Sequence, residues 1–303
     1  RKVTVTKKAI TDIKEIKQMC PVMYSMNGGK SGHFVVVENG EIIFNPLEVS
    51  QNARTIAKAL RLNEDIVEAI ALGHDLGHTP FGHNGEDVLN SIHPGGFEHN
   101  VQSLRVADVI ESTSSRKGMN LTAEVRDGIV NHTGPVKPFT LEGQIVKLSD
   151  RIAYINHDID DAVRSGVISI DDVPKSSLEL FGYSHRQRID AMVNDVIENS
   201  EGKDEIMQSE EFRKELLTLR SFMFKNVYKS SLVKKEEDLA KVGVVIKALY
   251  DYFLEHEDKL PEDLQEVART EGINEAVKDF VAGMTDRYAL SLYTDLFVPK
   301  AWK

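Results

Sequence analysis

Cysteine is almost missing from this chain: Cys20 stands alone among 303 residues. No intrachain disulfide can form, so a reducing cytoplasm is the expected setting. Long apolar runs are missing too. The stretch Ile66–Leu72 is broken by Glu68, far short of the roughly 18 to 20 apolar residues that cross a bilayer, and no membrane partner is expected. The opening residues Arg1-Lys2-Val3-Thr4-Val5-Thr6-Lys7-Lys8 carry neither the apolar stretch nor the small-residue cleavage site of a secretory signal. Positive charge is scarce. Lys and Arg number 37 against 48 Asp and Glu, a formal net charge of −11, which argues against broad binding to double-stranded nucleic acid or an anionic membrane. A polyanionic ligand would need local cations or a bound metal. Fixed-period repeats and low-complexity tracts are absent as well. What is present, 41% hydrophobic and 28% charged residues, is an ordinary globular composition that can bury a sizeable core.

Residues 1–44 differ from the rest. They are rich in β-branched residues and glycine, and His33-Phe34-Val35-Val36-Val37-Glu38, Asn39-Gly40, Glu41-Ile42-Ile43-Phe44 reads as a β-hairpin, because Asn-Gly supplies the positive φ angles of a type I′ turn. Gly28-Gly29-Lys30-Ser31 has the look of a phosphate loop, but Tyr24 stands where the upstream glycine belongs, and a plain turn is the expected reading. From Leu47 onward the pattern is helical: Ala53, Ile56, Ala57 and Leu60 recur at helical spacing, and Asn63 before Glu64-Asp65 is an N-cap signal. Further helices are predicted near 98–113, 121–132, 141–164, 184–199, 208–230, 237–255, 261–268 and 272–292. Ser200-Glu201-Gly202-Lys203-Asp204 marks a boundary. The expected organisation is therefore a divergent segment 1–44, a helical core 45–200 and a C-terminal helical region 201–303, all-α apart from the hairpin.

All ten histidines except His256 fall before residue 186, and five titratable side chains share the tract 73–86 with four glycines. His74-Asp75 closes an apolar helix, where an imidazole and a carboxylate can meet one cation; such donors suit Mn, Fe, Mg or Zn. Taken alone, such a dipeptide is usually a helix cap or a surface hydrogen bond. Core packing accounts for Leu76 and Phe81, but not for His78, His83 and Glu86. On a second helix, Asp150, Tyr154 and Asp158 lie at i, i+4 and i+8, opposite an apolar side of Ile145, Leu148, Ile152, Ile155 and Ile159. A solvated charged face is the plain alternative for that stripe.

His74-Asp75-Leu76-Gly77-His78-Thr79-Pro80-Phe81-Gly82-His83, Phe97-Glu98-His99-Asn100-x-Gln102-Ser103-Leu104-Arg105 and Ser149-Asp150-Arg151-Ile152-Ala153-Tyr154, in that order, resemble the HD-domain deoxynucleoside triphosphate triphosphohydrolases, the dGTPase family. The resemblance runs from about Leu47 to Phe297-Val298-Pro299-Lys300-Ala301-Trp302. It implies an all-helical HD fold with additional C-terminal helices, a divalent metal, and hydrolysis of a deoxynucleoside triphosphate to the deoxynucleoside and inorganic triphosphate. It also implies roles. His74, Asp75 and Asp150 match metal ligands; His83, with Glu86 to orient it, matches the catalytic histidine, and His78 a second histidine near the phosphates. Tyr154 and Asp158 match residues that hold the sugar, and His99, Arg151, Tyr183, His185 and Arg186 lie where substrate is contacted. Members commonly form homo-oligomers, and helices 208–230 and 237–255 could pack on a neighbour or equally within the chain.

One departure bears on activity. Where the family has Arg-x-x-His-Ser/Thr-Leu-Glu-Val, this chain has Ile42-Ile43-Phe44-Asn45-Pro46-Leu47-Glu48-Val49. Asn45 thus stands at the first metal-ligating histidine and Ile42 at a phosphate-contacting arginine, and an amide oxygen is a poorer ligand than imidazole. His33 is one candidate replacement. The alternatives to an active triphosphohydrolase are a catalytically impaired homologue that binds nucleotide as a regulatory module, and an HD phosphatase acting on monophosphates.

Overall fold

The computed structural model describes residues 36–38, 41–43, 45–113, 116–228 and 236–300. The turns at 28–31 and 39–40, and His33, lie outside the described residues. Strands β1 (Val36–Glu38) and β2 (Glu41–Ile43) pair antiparallel with Val36 opposite Ile43, in the register expected of the hairpin. The helices are α1 (Asn45–Ala59), α2 (Glu64–Gly73), α3 (His83–Ile92), α4 (His99–Arg105), α5 (Ala123–Asn131), α6 (Leu141–Arg164), α7 (Lys175–Phe181), α8 (His185–Ser200), α9 (Glu210–Met223), α10 (Glu236–Glu255), α11 (Glu262–Glu271), α12 (Ile273–Ala282) and α13 (Asp286–Phe297). A two-residue ladder, β3 (Ser112–Thr113) with β4 (Arg116–Lys117), is the remaining sheet among the described residues. The fold is all-α. No helix among the described residues is long and apolar enough to cross a membrane.

Four expectations need correction. No helix is predicted between the one closed by His74 and the one near 98–113, yet residues 83–92 form α3, entered through Gly82 at a φ of 57°. The helix expected over 98–113 ends at Arg105 and passes through a π-turn, Val106–Ile110, into β3. The one expected over 208–230 likewise gives way to a π-turn at Phe224–Tyr228. The span 272–292 is two helices, because Thr285 caps α13 by accepting from the Tyr288 amide. The fully buried Met284 carries the apolar spacing through this break and hides it in the sequence.

Two compact units divide the chain, and both are discontinuous in sequence: Asn45–His74 with Asn120–Lys241 makes one, and Arg1–Phe44, Asp75–Met119 and Val242–Lys303, as far as described, make the other. In the first, α1 packs on α2, α6 and α8, while α5 packs on α2 and α6. The reason is patterning. Ala53, Ile56 and Ala57 of α1, Val67 and Ile70 of α2, Ile129 of α5 and Ile145, Ile152, Ile155 and Ile159 of α6 are all fully buried, each such isoleucine contributing about 1.5–3 kcal/mol. Asn63 caps α2 through its side-chain oxygen, which accepts from the amides of Asp65 and Ile66. In the second unit, Leu89 and Phe97 join Ile246, Leu249, Tyr250 and Phe253 of α10 and Val277, Phe280 and Val281 of α12 in one core. Intrachain packing therefore accounts for the apolar face of α10.

Candidate functional site

The first unit ends α2 and α5 each on a histidine. His74 and His132 are the C-cap residues of these helices, and each is at most 3% exposed. Each Nδ1 lies 2.7 Å from a backbone carbonyl three residues back, Ala71 O and Ile129 O. A carbonyl only accepts, so Nδ1 carries the proton and a neutral ring keeps its lone pair on Nε2. The rings meet edge to face at 4.9 Å, and His74 Nε2 is 3.5 Å from Asp150 Oδ1 on α6. Donor atoms of His74, His132 and Asp150 all fall within 4.8 Å of one another. Two imidazoles whose far nitrogens bond carbonyls, together with a carboxylate, are a donor set and outer bonding that a divalent metal can use. Lys147 sets the loop after His132, its ammonium donating to the carbonyls of Asn131, Thr133, Gly134 and Val136 at 2.7–3.0 Å.

His132 was not anticipated. The stretch Val130-Asn131-His132-Thr133-Gly134 holds no second histidine or carboxylate to single His132 out; its signal is that it closes a helix before a glycine turn. Asp75, the next residue after His74, belongs to the second unit, where its Oδ1 is 3.3 Å from His78 Nε2. Asn45 opens α1.

Also in the first unit, Asp150, Tyr154 and Asp158 line one side of α6 as expected. Burial pushes the Tyr154 phenol up, and Arg220, Arg151, Asp150 and Asp158 all lie within its electrostatic reach. Asp158 accepts from the hydroxyl of Tyr228; burial first and then this carboxylate hold the Tyr228 phenol far above its ordinary range. Tyr228 was another residue missed, because it sits in a π-turn. The α7–α8 corner carries Tyr183, His185 and Arg186. Tyr183 is 57% exposed, Arg186 points outward beside Asp190, and His185 is sandwiched between Glu48 and Asp160, 3.0 and 2.9 Å from its two ring nitrogens.

The second unit gathers His78, His83, His99 and Glu86 in one place. Glu86 Oε2 is 3.1 Å from Nδ1 of His83, while Glu86 Oε1 accepts from the His99 amide at 2.9 Å and lies 2.8 Å from its ring Nδ1. Burial pushes the Glu86 carboxyl up, but the bonds from His83 and His99 outweigh it and hold the group well below the usual carboxylate range. His78 stacks on His99, centroids 4.4 Å apart and rings 8° from parallel. The backbone makes this possible. A Cβ on Gly77 would sit 2.3 Å from the Ser103 amide and 2.4 Å from the His99 carbonyl, so only glycine lets this loop lie against α4. Phe81, at a φ of 65°, is held by its amide donating to Asp286. His83 remains 76% exposed at its side chain, open to a ligand while anchored at Nδ1.

Comparison with known proteins identifies the domains that the chain resembles. Residues 43–155 match the HD domain and residues 206–295 the phosphohydrolase-associated domain. The chain is similar to a deoxyguanosinetriphosphate triphosphohydrolase-like protein of Caldanaerobacter subterraneus subsp. tengcongensis, 54% identical over 84% of this chain and 74% of the relative. Proteins with the same description from Clostridium tetani, at 46% identity over 84% and 75%, and from Geobacter sulfurreducens, at 35% over 84% and 78%, resemble it too.

Proposed function

The chain belongs to the HD-domain deoxynucleoside triphosphate triphosphohydrolase family, and from that premise we propose that it hydrolyses a deoxynucleoside triphosphate, such as dGTP, to the deoxynucleoside and inorganic triphosphate. The observation that carries the reading is the His74–His132–Asp150 set, whose donor atoms lie within 4.8 Å of one another and whose imidazoles are preset by carbonyls. These three residues hold the divalent metal, manganese, magnesium, iron or zinc; Asp75, joined to His74 by a peptide bond, is the further ligand that the family resemblance adds. When bound, the metal supplies a Lewis acid for a phosphate oxygen.

The remaining work falls to side chains. His83, its Nδ1 fixed by Glu86, has Nε2 available to pass a proton to the departing 5′-oxygen or to take one from the attacking water, a role worth roughly 10²- to 10⁴-fold. Glu86 stays anionic across the neutral range and steadies the imidazolium as it forms. His78 and His99 provide further N–H groups for phosphate oxygens. Arg151 offsets triphosphate charge; Tyr154 crowds a 2′-hydroxyl, and Asp158 accepts from the 3′-hydroxyl. Tyr183 and Arg186 are exposed candidates for further contact, whereas His185, with a carboxylate at each nitrogen, suits a cation better than a phosphate.

The test incubates purified protein with each dNTP plus manganese or magnesium and resolves the products. Triphosphate release supports the proposal, and orthophosphate release from a monophosphate substrate supports an HD phosphatase instead. Asn45 favours a second reading, a homologue that binds nucleotide without turning it over. Nucleotide binding with no product would support that reading. Asn45→His discriminates further: a gain in metal content and rate marks the missing imidazole as the defect, and no change means that His132 has taken its place.

A further inference from the structure

Glu48, His157 and His185 share no residue with the set just described, and they come from three helices of the same unit, α1, α6 and the start of α8. Both imidazoles turn Nε2 toward one carboxylate: His157 makes close contact with Glu48 Oε2, and His185 lies 3.0 Å from Oε1. The three donor atoms fall within 4.8 Å of one another. The rings sit 5.2 Å apart at a 53° tilt, angled toward a common point instead of stacked. His157 Nε2 is buried against this carboxylate.

The surroundings are built to hold that arrangement. Asp160 lies 2.9 Å from the far nitrogen of His185, the placement of a carboxylate that orients a metal-bound imidazole. Asp160 is itself fixed by Arg188 at 2.5 Å, and Arg188, 1% exposed at its side chain, donates to the fully buried Asn156 at 2.7 Å. A rigid chain of contacts thus runs from the helical core to the imidazole. We propose that Glu48, His157 and His185 form a second divalent-cation site, selective for zinc-like borderline ions, which staples α1, α6 and α8 together. Two imidazole nitrogens and one carboxylate oxygen are a common zinc donor set, with water completing the coordination.

The experiment uses the full chain, stripped with chelator and titrated with zinc alone, with bound metal counted by elemental analysis and affinity read by calorimetry. Asp150→Ala removes the first site, so the two assignments are separable. The expected result is about two zinc ions per wild-type chain, about one in Asp150→Ala and none in Asp150→Ala/His157→Ala. Asp160→Asn in the Asp150→Ala background weakens the remaining site by roughly 10- to 100-fold. Cobalt in place of zinc gives tetrahedral visible bands in Asp150→Ala that vanish with His157→Ala. Should His157→Ala lose its helical circular dichroism, the near-isosteric Glu48→Gln reads the same loss of zinc and of the cobalt bands. Equal zinc binding by Asp150→Ala and by its combination with either His157→Ala or Glu48→Gln overturns the proposal, as does an Asp150→Ala protein that takes up no zinc.

Discussion

A histidine serves proton transfer when one nitrogen is tethered and the other faces the reactant, and His83 meets both conditions through Glu86 and its exposure. Replacing it should therefore cost turnover without costing the fold. His83→Ala is expected to lower kcat about 10²- to 10⁴-fold while the melting transition moves by no more than a surface substitution allows, within about 0.5 kcal/mol; a dNTP assay beside thermal denaturation checks both. At this scale the sequence is readable where chemistry-bearing residues crowd together. His74, His78, His83 and Glu86 share a single short tract in which core packing explains too few positions, and Asp150, Tyr154 and Asp158 follow a helical stripe. It is silent where partners are remote. His132 meets His74 only through the packing of α5 on α2, and Glu48, His157 and His185 lie on three separate helices; no local spacing could pair them.

Elements were legible in proportion to how cleanly one face is apolar. The 24 residues of α6 match the predicted span 141–164, because Ile145, Leu148, Ile152, Ile155 and Ile159 keep one side apolar along the helix. By contrast α3 opens with His83-Asn84-Gly85, weak helix formers held by close packing: a Cβ on Gly85 would come within 1.9 Å of the Pro80 carbonyl. The same dependence on close approach makes Gly77 the sharpest test of how the loop docks on α4. Gly77→Ala must push the loop off Ser103 and His99, an overpacking cost of about 1–3 kcal/mol. The expected outcome is a lower urea midpoint together with a fall in activity larger than the stability loss explains, since His78 and His99 no longer stack. A fall in stability with unchanged kcat would separate the docking of this loop from the chemistry.

For the molecule as a whole, the tie that joins distant parts of the chain is Arg105. Its guanidinium donates to both oxygens of Asp279, at 2.7–2.9 Å, and to Glu271 at 2.7 Å, and Gln102 adds a bond to the same Asp279 at 2.8 Å. The Asp279 side chain is fully buried. Asp279→Ala should strip Arg105 of its buried partner, leaving it Glu271, and destabilise the unit by about 3–5 kcal/mol, whereas breaking the exposed Arg269–Glu266 pair should cost under about 1 kcal/mol. Chemical denaturation of the two variants side by side checks the contrast. No reading of charge along the sequence reveals this tie, since its partners are 174 residues apart.

That separation governs how the protein must be made. During synthesis α3 and α4 emerge early, yet the helices that cover their apolar sides, α10 and α12, leave the ribosome more than a hundred residues later. At 5–20 residues per second, Leu89 and Phe97 wait on the order of ten seconds for their neighbours. The nascent chain should accordingly engage chaperones through this stretch, and slowing translation between residues 120 and 240 should raise the fraction lost to aggregation.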